Sequence, residues 1–359
     1  MKRGISQGAL SVALLLGVVN AGCGPTPRAM PTIDPAPGPG APAQVWHAKA
    51  GRRFTGRMVV TNGTIYGGAV DRKVYAVDLD SGETRWSSRL GGLITGGVLV
   101  SGINVYAASS RPEGRVYAFD AGTGKRLWRT STGAVGAPLA LIDSVLVAET
   151  QRGEIIGLTP VTGAVRWRRR VGTARIAAVP ADTGTLIVAT VDSLFRMKSS
   201  DGRILVRARS PGAVLSPWLD HGNVLVGGTA DSLVVGIDKR TLQPRWRVTL
   251  DAPVLTSPAG VRDTLYAASR RGTLYRIVGD SAPTAAVVAR LNWPITAPVA
   301  VVNGLVLLGG SDGILRALRP DGREAWRLQL HWPIELVPLA LDDGLLAVGG
   351  DGDLHRYRQ

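Results

Sequence analysis

Cysteine occurs once in the 359 residues, at Cys23. Intramolecular disulfides are therefore excluded, as is any metal site built on thiolates alone. Histidine occurs four times, scattered at positions 47, 221, 331 and 355, which argues against a zinc site. Acidic residues are in deficit, 27 against 42 Lys+Arg, and the formal net charge is +15. Aromatics are only 5% of the chain, yet nine of the nineteen are tryptophan, so tryptophan is expected to have a structural task. The apolar run Ala9–Val19 is too short to cross a bilayer as a helix, which takes roughly 20 apolar residues. What is present is apolar content of 45%, enough for a real core, and 46 glycines. A chain disordered beyond its ends is excluded.

The first residues read as an export signal. Lys2 and Arg3 form a basic start, and Ala9–Val19 fits the apolar stretch of a secretory signal. Asn20-Ala21-Gly22-Cys23 follows. Ala21, Gly22 and Cys23 resemble a bacterial lipoprotein signal, and Asn20 departs from its usual leucine. The resemblance implies cleavage before Cys23 and lipidation of its thiol. Residues 1–22 are thus expected to be a signal peptide. Residues 23–43, with seven prolines after Cys23 and no aromatic, are expected to be a lipidated tether that is extended and coreless. Gly24, rather than Asp, behind the lipid fits sorting to an outer membrane.

Residues 44–359 are a repeat. Trp46, Trp86, Trp128, Trp167, Trp246 and Trp326 each end a strand-like run, and 280 residues, seven steps of 40, separate the first from the last. Val206 fills one missing position, and the one near Ala289 is degenerate. Pro138, Pro180, Pro217, Pro258, Pro298 and Pro338 keep the same period. Each unit reads as four short strands joined by turn residues, with little room for a helix. Four strands at about 40 residues predict a β-propeller of antiparallel blades, in the all-β class. Seven units end at 86, 128, 167, 206, 246, about 288 and 326. Residues 327–359 supply three more strands, and the segment around Trp46 supplies a fourth. The expectation is eight blades, the ring closed by pairing of N-terminal and C-terminal strands.

Asp78, Ser81, Gly82 and Trp86 resemble the A-x-D-x-x-T-G-x-x-x-W motif of quinoprotein-type propellers. Asp120, Thr123, Gly124 and Trp128 match it in full. Thr162, Gly163 and Trp167 keep its end, with Thr159 in place of Asp. Asp238, Thr241 and Trp246 keep it with Leu242 in place of Gly, and the unit ending at Trp326 is one residue short. Asp and Thr bond to a turn backbone, Gly accepts a positive φ, and Trp packs between blades. These residues are read as structural.

Two branches of this repeat family compete. One is the quinone-dependent dehydrogenases; the other is the outer-membrane assembly lipoproteins of the BamB type, which implies a non-enzymatic scaffold. The dehydrogenases resemble this chain less. They carry longer loops, and many have an adjacent-cysteine disulfide and a calcium ion. Here no second cysteine exists, and no cluster of oxygen ligands suits calcium. Asp71, Asp231, Asp312 and Asp351 recur at one place in their blades, which turn chemistry explains. The four histidines are assigned to different blades with no common partner. No catalytic residue, cofactor or metal is expected.

Asn292-Trp293-Pro294-Ile295 and His331-Trp332-Pro333-Ile334 are one segment repeated 39 residues apart in consecutive crossings between blades. Trp293 and Trp332 should be neighbours, either packed over the core edge or serving as an aromatic anchor for a partner. Arg72, Lys73, Arg111, Arg152, Arg270 and Arg271 are expected on the same face, where a positive field steers acidic partners or anionic head groups. Nucleic acid is not expected for an exported chain whose charges look dispersed. The crossings at 132–136, 211–215 and 251–255 lack the L-x-L-R and D-x-D motifs that the assembly family uses on its insertase. The preferred expectation is an outer-membrane lipoprotein facing the periplasm that scaffolds barrel assembly with the β-barrel insertase complex as partner. A generic protein- or ligand-binding propeller is the first alternative and a quinone-dependent dehydrogenase the second.

Overall fold

The computed structural model describes residues 40–172 and 176–359. The signal segment, Cys23 and most of the tether lie outside the described residues. Those that are described form 32 strands and no helix. Eight blades follow in chain order: 54–89, 92–131, 140–170, 179–209, 219–249, 259–290, 300–329, and 339–358 together with 43–49. The last is the closure. Ala43–Lys49 pairs antiparallel with Asp353–Arg358 and becomes the outer strand of blade 8. This pairing covers the edge of Asp353–Arg358 that an open ring would expose. Blades 1 and 2 are also joined by a parallel bridge, Arg57 to Gly97.

The core is a ring of eight apolar clusters, each shared by two neighbouring blades. Ile155 and Trp167 of blade 3 pack with Leu186 and Val188 of blade 4, for example. Strands buried on both faces explain the near-continuous apolar runs, such as Val145–Glu149 and Thr185–Ala189. The innermost strands surround a central cavity of about 830 Å³. Pro138, Pro180, Pro217 and Pro298 stand at its wall. An inner edge strand has no partner for an N–H, so proline loses nothing there.

The tryptophan motif is the seam between blades. Trp46, Trp86, Trp128 and Trp167 each donate the indole N–H to a carbonyl of the next blade's outer turn: Leu79, Ala121, Pro160 and Ser199, at 2.8 to 3.0 Å. The glycine of that turn lies flat beneath the ring. A Cβ on Gly82 would stand 2.9 Å from Trp46, and one on Gly124 2.5 Å from Trp86. Asp120 Oδ1 accepts from the Thr123 N–H at 2.8 Å and hydroxyl at 2.7 Å, and Asp238 Oδ1 does the same with Thr241. In seven blades the residue before the tryptophan position is a bulge. Such a bulge increases local twist. Blade 6 bulges at Val288 itself, which accounts for its degenerate motif. Trp326 has no carbonyl to bond among the described residues, because the outer turn of blade 8 is replaced by the two chain ends.

Candidate functional site

The two faces of the ring follow from backbone bonds. Leu79 N–H donates to Gly63 O, which puts the outer turn beside the innermost turn on one face. Leu90 N–H donates to Arg72 O, which puts the middle turn beside the crossing on the other. Trp293 and Trp332 lie on that second face, in the crossings from blade 6 to 7 and from blade 7 to 8. Each is 49% exposed. The crossings are tied directly: Thr296 Oγ1 donates to Ile334 O at 2.6 Å. Each backbone is seated on a middle-turn glycine. Gly313, at φ +74°, would carry a Cβ 2.9 Å from Trp332 O. Two half-exposed indoles are thus held on a rigid backbone, one on each of two bonded crossings.

Arg270 and Arg271 adjoin this pair. They occupy the middle turn of blade 6, and Leu291 N–H of the Trp293 crossing bonds back to Gly272. Arg72 and Lys73 belong to blade 1, beyond blade 8. Arg72 takes a positive φ of 68°, and the Lys73 ammonium lies over the Tyr75 ring at 5.9 Å. Arg111 and Arg152 are exposed on blades 2 and 3, away from the tryptophans. The six cations therefore do not form one patch. Acidic groups intervene. Asp71 accepts from Lys73 N–H at 3.3 Å and from Tyr75 OH at 2.5 Å, Asp351 pairs with Lys49, and Glu335 pairs with Arg53 at 3.5 Å. The face is mixed in charge.

The structure overturns the reading of the histidines. His47 and His355 are cross-strand partners at the closure, and their rings stack with centroids 4.5 Å apart. His47 Nε2 lies 3.3 Å from Asp353 Oδ1. His331, at φ +63°, and Trp332 border the same hollow of about 290 Å³ with Gln44 and Gln329. Three of the four histidines thus meet beside one of the two exposed tryptophans. Ring closure joins residues more than 300 positions apart, so no local spacing could show it. Burial, then the neighbouring His47, pushes the His355 imidazole down to about 4. It is therefore neutral at physiological pH.

The repeated carboxylates have turn partners. Asp78 is held well below the usual carboxylate range by Arg85 and by the Ser81 N–H. Asp120 is lowered by the Thr123 hydroxyl and backbone, and Asp238 by the Thr241 backbone N–H. Asp312 is buried against Arg316 at 2.5 Å. Each of these carboxylates is already engaged within its own blade.

The family model described as "Outer membrane protein assembly factor BamB" matches residues 38–189, 175–281 and 202–328. Among curated proteins, the assembly factor BamB of Yersinia pestis is 25% identical over 287 residues, covering 70% of this chain and 71% of that protein. BamB of Burkholderia pseudomallei is 27% identical over 126 residues, 34% of this chain and 33% of that protein. Among solved structures, BamB from Moraxella catarrhalis superposes with a TM-score of 0.75 at 15% identity, covering 89% of this chain and all of that one. The computationally designed Ika8 protein superposes at 0.74 with 16% identity, covering 88% of this chain and 99% of that one. The likeness to a designed protein carries fold alone. With three overlapping matches spanning residues 38–328, the chain belongs to the family of the outer-membrane protein assembly factor BamB.

Proposed function

We propose that this protein is a non-enzymatic envelope lipoprotein that scaffolds outer-membrane β-barrel assembly by binding the insertase complex. Its partner docks on the crossing face around Trp293 and Trp332. The observation that carries the reading is that pair: two indoles half exposed on crossings tied by the Thr296–Ile334 bond. Exposed aromatics on a rigid backbone are the residues that dominate binding energy in protein interfaces. Arg270 and Arg271 supply a local cationic rim. The named activity of the Yersinia, Burkholderia and Nitrosomonas relatives supports the assembly role. The absence of the L-x-L-R and D-x-D crossings means that the contacts on this chain differ in residue from the family pattern.

The test is a gentle detergent pull-down of the tagged protein from its native envelope, read by proteomics. The insertase complex should be recovered, and Trp293→Ala with Trp332→Ala should lower its recovery at least tenfold, as expected for hot-spot residues worth about 2 kcal/mol each. The same variant should unfold at the parent's midpoint, since both rings are half in solvent. Undiminished recovery in a folded double variant removes the tryptophans from the interface. The tether is proposed to hold the ring to the membrane through acylated Cys23. Cys23→Ala should move the protein to the soluble fraction, and retention in the membrane would contradict the anchor.

A further inference from the structure

The positive charge of this chain is concentrated where no sequence motif marks it: on the outer wall of the ring. The eight outer strands carry 15 Lys and Arg and one acidic residue, Glu324. The density peaks on blade 3, whose outer strand Val165–Arg170 reads VRWRRR. Blades 2 and 4 flank it with RLWRTS and ILVRAR. Arg129, Arg170, Arg207 and Arg209 are exposed and make no ion pair among the described residues. Exposed apolar side chains alternate with them on the same three strands: Leu127, Val165, Ile204 and Leu205. Charged outer strands also discourage edge-to-edge pairing. That purpose needs neither a single sign nor exposed leucine.

We propose that the wall of blades 2 to 4 lies on an anionic phospholipid bilayer. Arginine guanidinium groups bind phosphate bidentately, and long arginine stems let neighbouring apolar groups enter the head-group boundary while the charge stays at the phosphate level. A convex wall meets a plane only along its most prominent blades, and the density is highest on three consecutive ones. A protein partner would ordinarily present both signs; a lipid surface presents one. Docking by the wall leaves the Trp293–Trp332 face free to the side. Only the envelope location of the proposed function is assumed.

The test is flotation of the lipid-free body Ala36–Gln359, which contains all eight blades and the closing strand and forms one compact unit. It should float with vesicles of phosphatidylethanolamine and phosphatidylglycerol, stay behind with phosphatidylcholine, and be released by salt. Reversal of Arg129, Arg170, Arg207 and Arg209 to Glu should weaken partition roughly a thousandfold. Reversal of Arg276, Arg290, Arg319 and Arg323 on blades 6 and 7, an equal change in net charge, should change it less than about threefold. Leu127→Ser with Leu205→Ser should weaken vesicle binding severalfold and leave binding to soluble polyphosphate unchanged. Equal losses in the two charge-reversed proteins, no flotation of the parent, or apolar variants that float as well as it does would each overturn the proposal. Because the insertase pull-down reads a different face, either result can fail without the other.

Discussion

Gly124→Ala should lower the stability of the ring by about 3 kcal/mol, although it adds only one methyl group to a turn. Two costs combine. Gly124 sits at φ +68°, where a Cβ costs about 1 kcal/mol or more. That Cβ would also stand 2.5 Å from Trp86 Cδ2 and 2.6 Å from its Cε3, so the indole must move. The ring is not free to do so. Its N–H is bonded to Ala121 O at 2.9 Å, and Ser88 Oγ grips Gly124 O at 2.6 Å. Displacing a packed group of this kind costs about 1–3 kcal/mol.

The seam between blades 4 and 5 inverts the rule. There the outer strand of blade 4 carries Val206 instead of tryptophan, and the turn of blade 5 carries Leu242 instead of glycine. Leu242 is fully buried, at φ +59°, in a cluster with Val206 packed against it. The leucine fills the volume that an indole fills elsewhere. Leu242→Gly should therefore destabilise by about 2 kcal/mol, the cavity loss exceeding the relief of the positive φ. Val206→Trp alone should overpack the seam by about 1–3 kcal/mol. Together, Val206→Trp and Leu242→Gly rebuild the motif of the other seams and should recover at least about 2 kcal/mol of the summed losses. Urea unfolding of the four proteins at one pH measures the coupling. Simple additivity would show that leucine and tryptophan do not occupy a common space.

The period of 40 and the blade ends were readable because each is local or repeats, and the closing strand because the strand count left the last blade one short. A bond from Asp120 to Thr123 is written within four residues, and tryptophans recurring at one period make the register plain. What escaped the sequence depends on register across blades or on ring closure. Leu242 looked like decay of the motif, and only its contact with Val206 shows a matched exchange. The arginines looked dispersed in order along the chain. Arg129, Arg168, Arg207, Arg247 and Arg327 each follow the tryptophan position by one residue, so a repeat alignment could have revealed the wall. The meeting of His47, His331 and His355 needs the closure itself.

Glu149 shows the same limit, and it sets the pH dependence of the fold. It ends the second strand of blade 3 and is 1% exposed, with neither carboxyl oxygen finding a side-chain partner among the described residues. The equivalent positions in the following blades are Ala189, Gly228, Ala268, Gly309 and Val348, all small or apolar. Burial pushes the carboxyl up to about 8, so it is protonated in the folded ring at neutral pH. An unfolded glutamate releases its proton from about pH 4.5 upward. Between these values the unfolded state alone gains by ionising, and stability falls by about 1.4 kcal/mol per pH unit, about 4 kcal/mol in all by pH 8. His355 acts in the opposite sense. Its folded pKa of about 4 is below the unfolded value of 6.5, so its contribution is complete above pH 6.5 and is lost as pH falls to 4. Solvent screening limits that loss to about 2 kcal/mol. The two slopes oppose one another between pH 4.5 and 6.5, and only the Glu149 slope remains above. Glu149→Gln should therefore be close to the parent at pH 4.5 and more stable by about 3–4 kcal/mol at pH 8. With the carboxyl gone, the variant should gain stability from pH 4 to 6.5 and then level off, which exposes the His355 contribution. Urea unfolding at pH 4.5, 6.5 and 8 decides it. A gain that is the same at all three values would mean that Glu149 keeps its ordinary pKa in the folded protein, and that its burial is relieved by water or by an unseen partner.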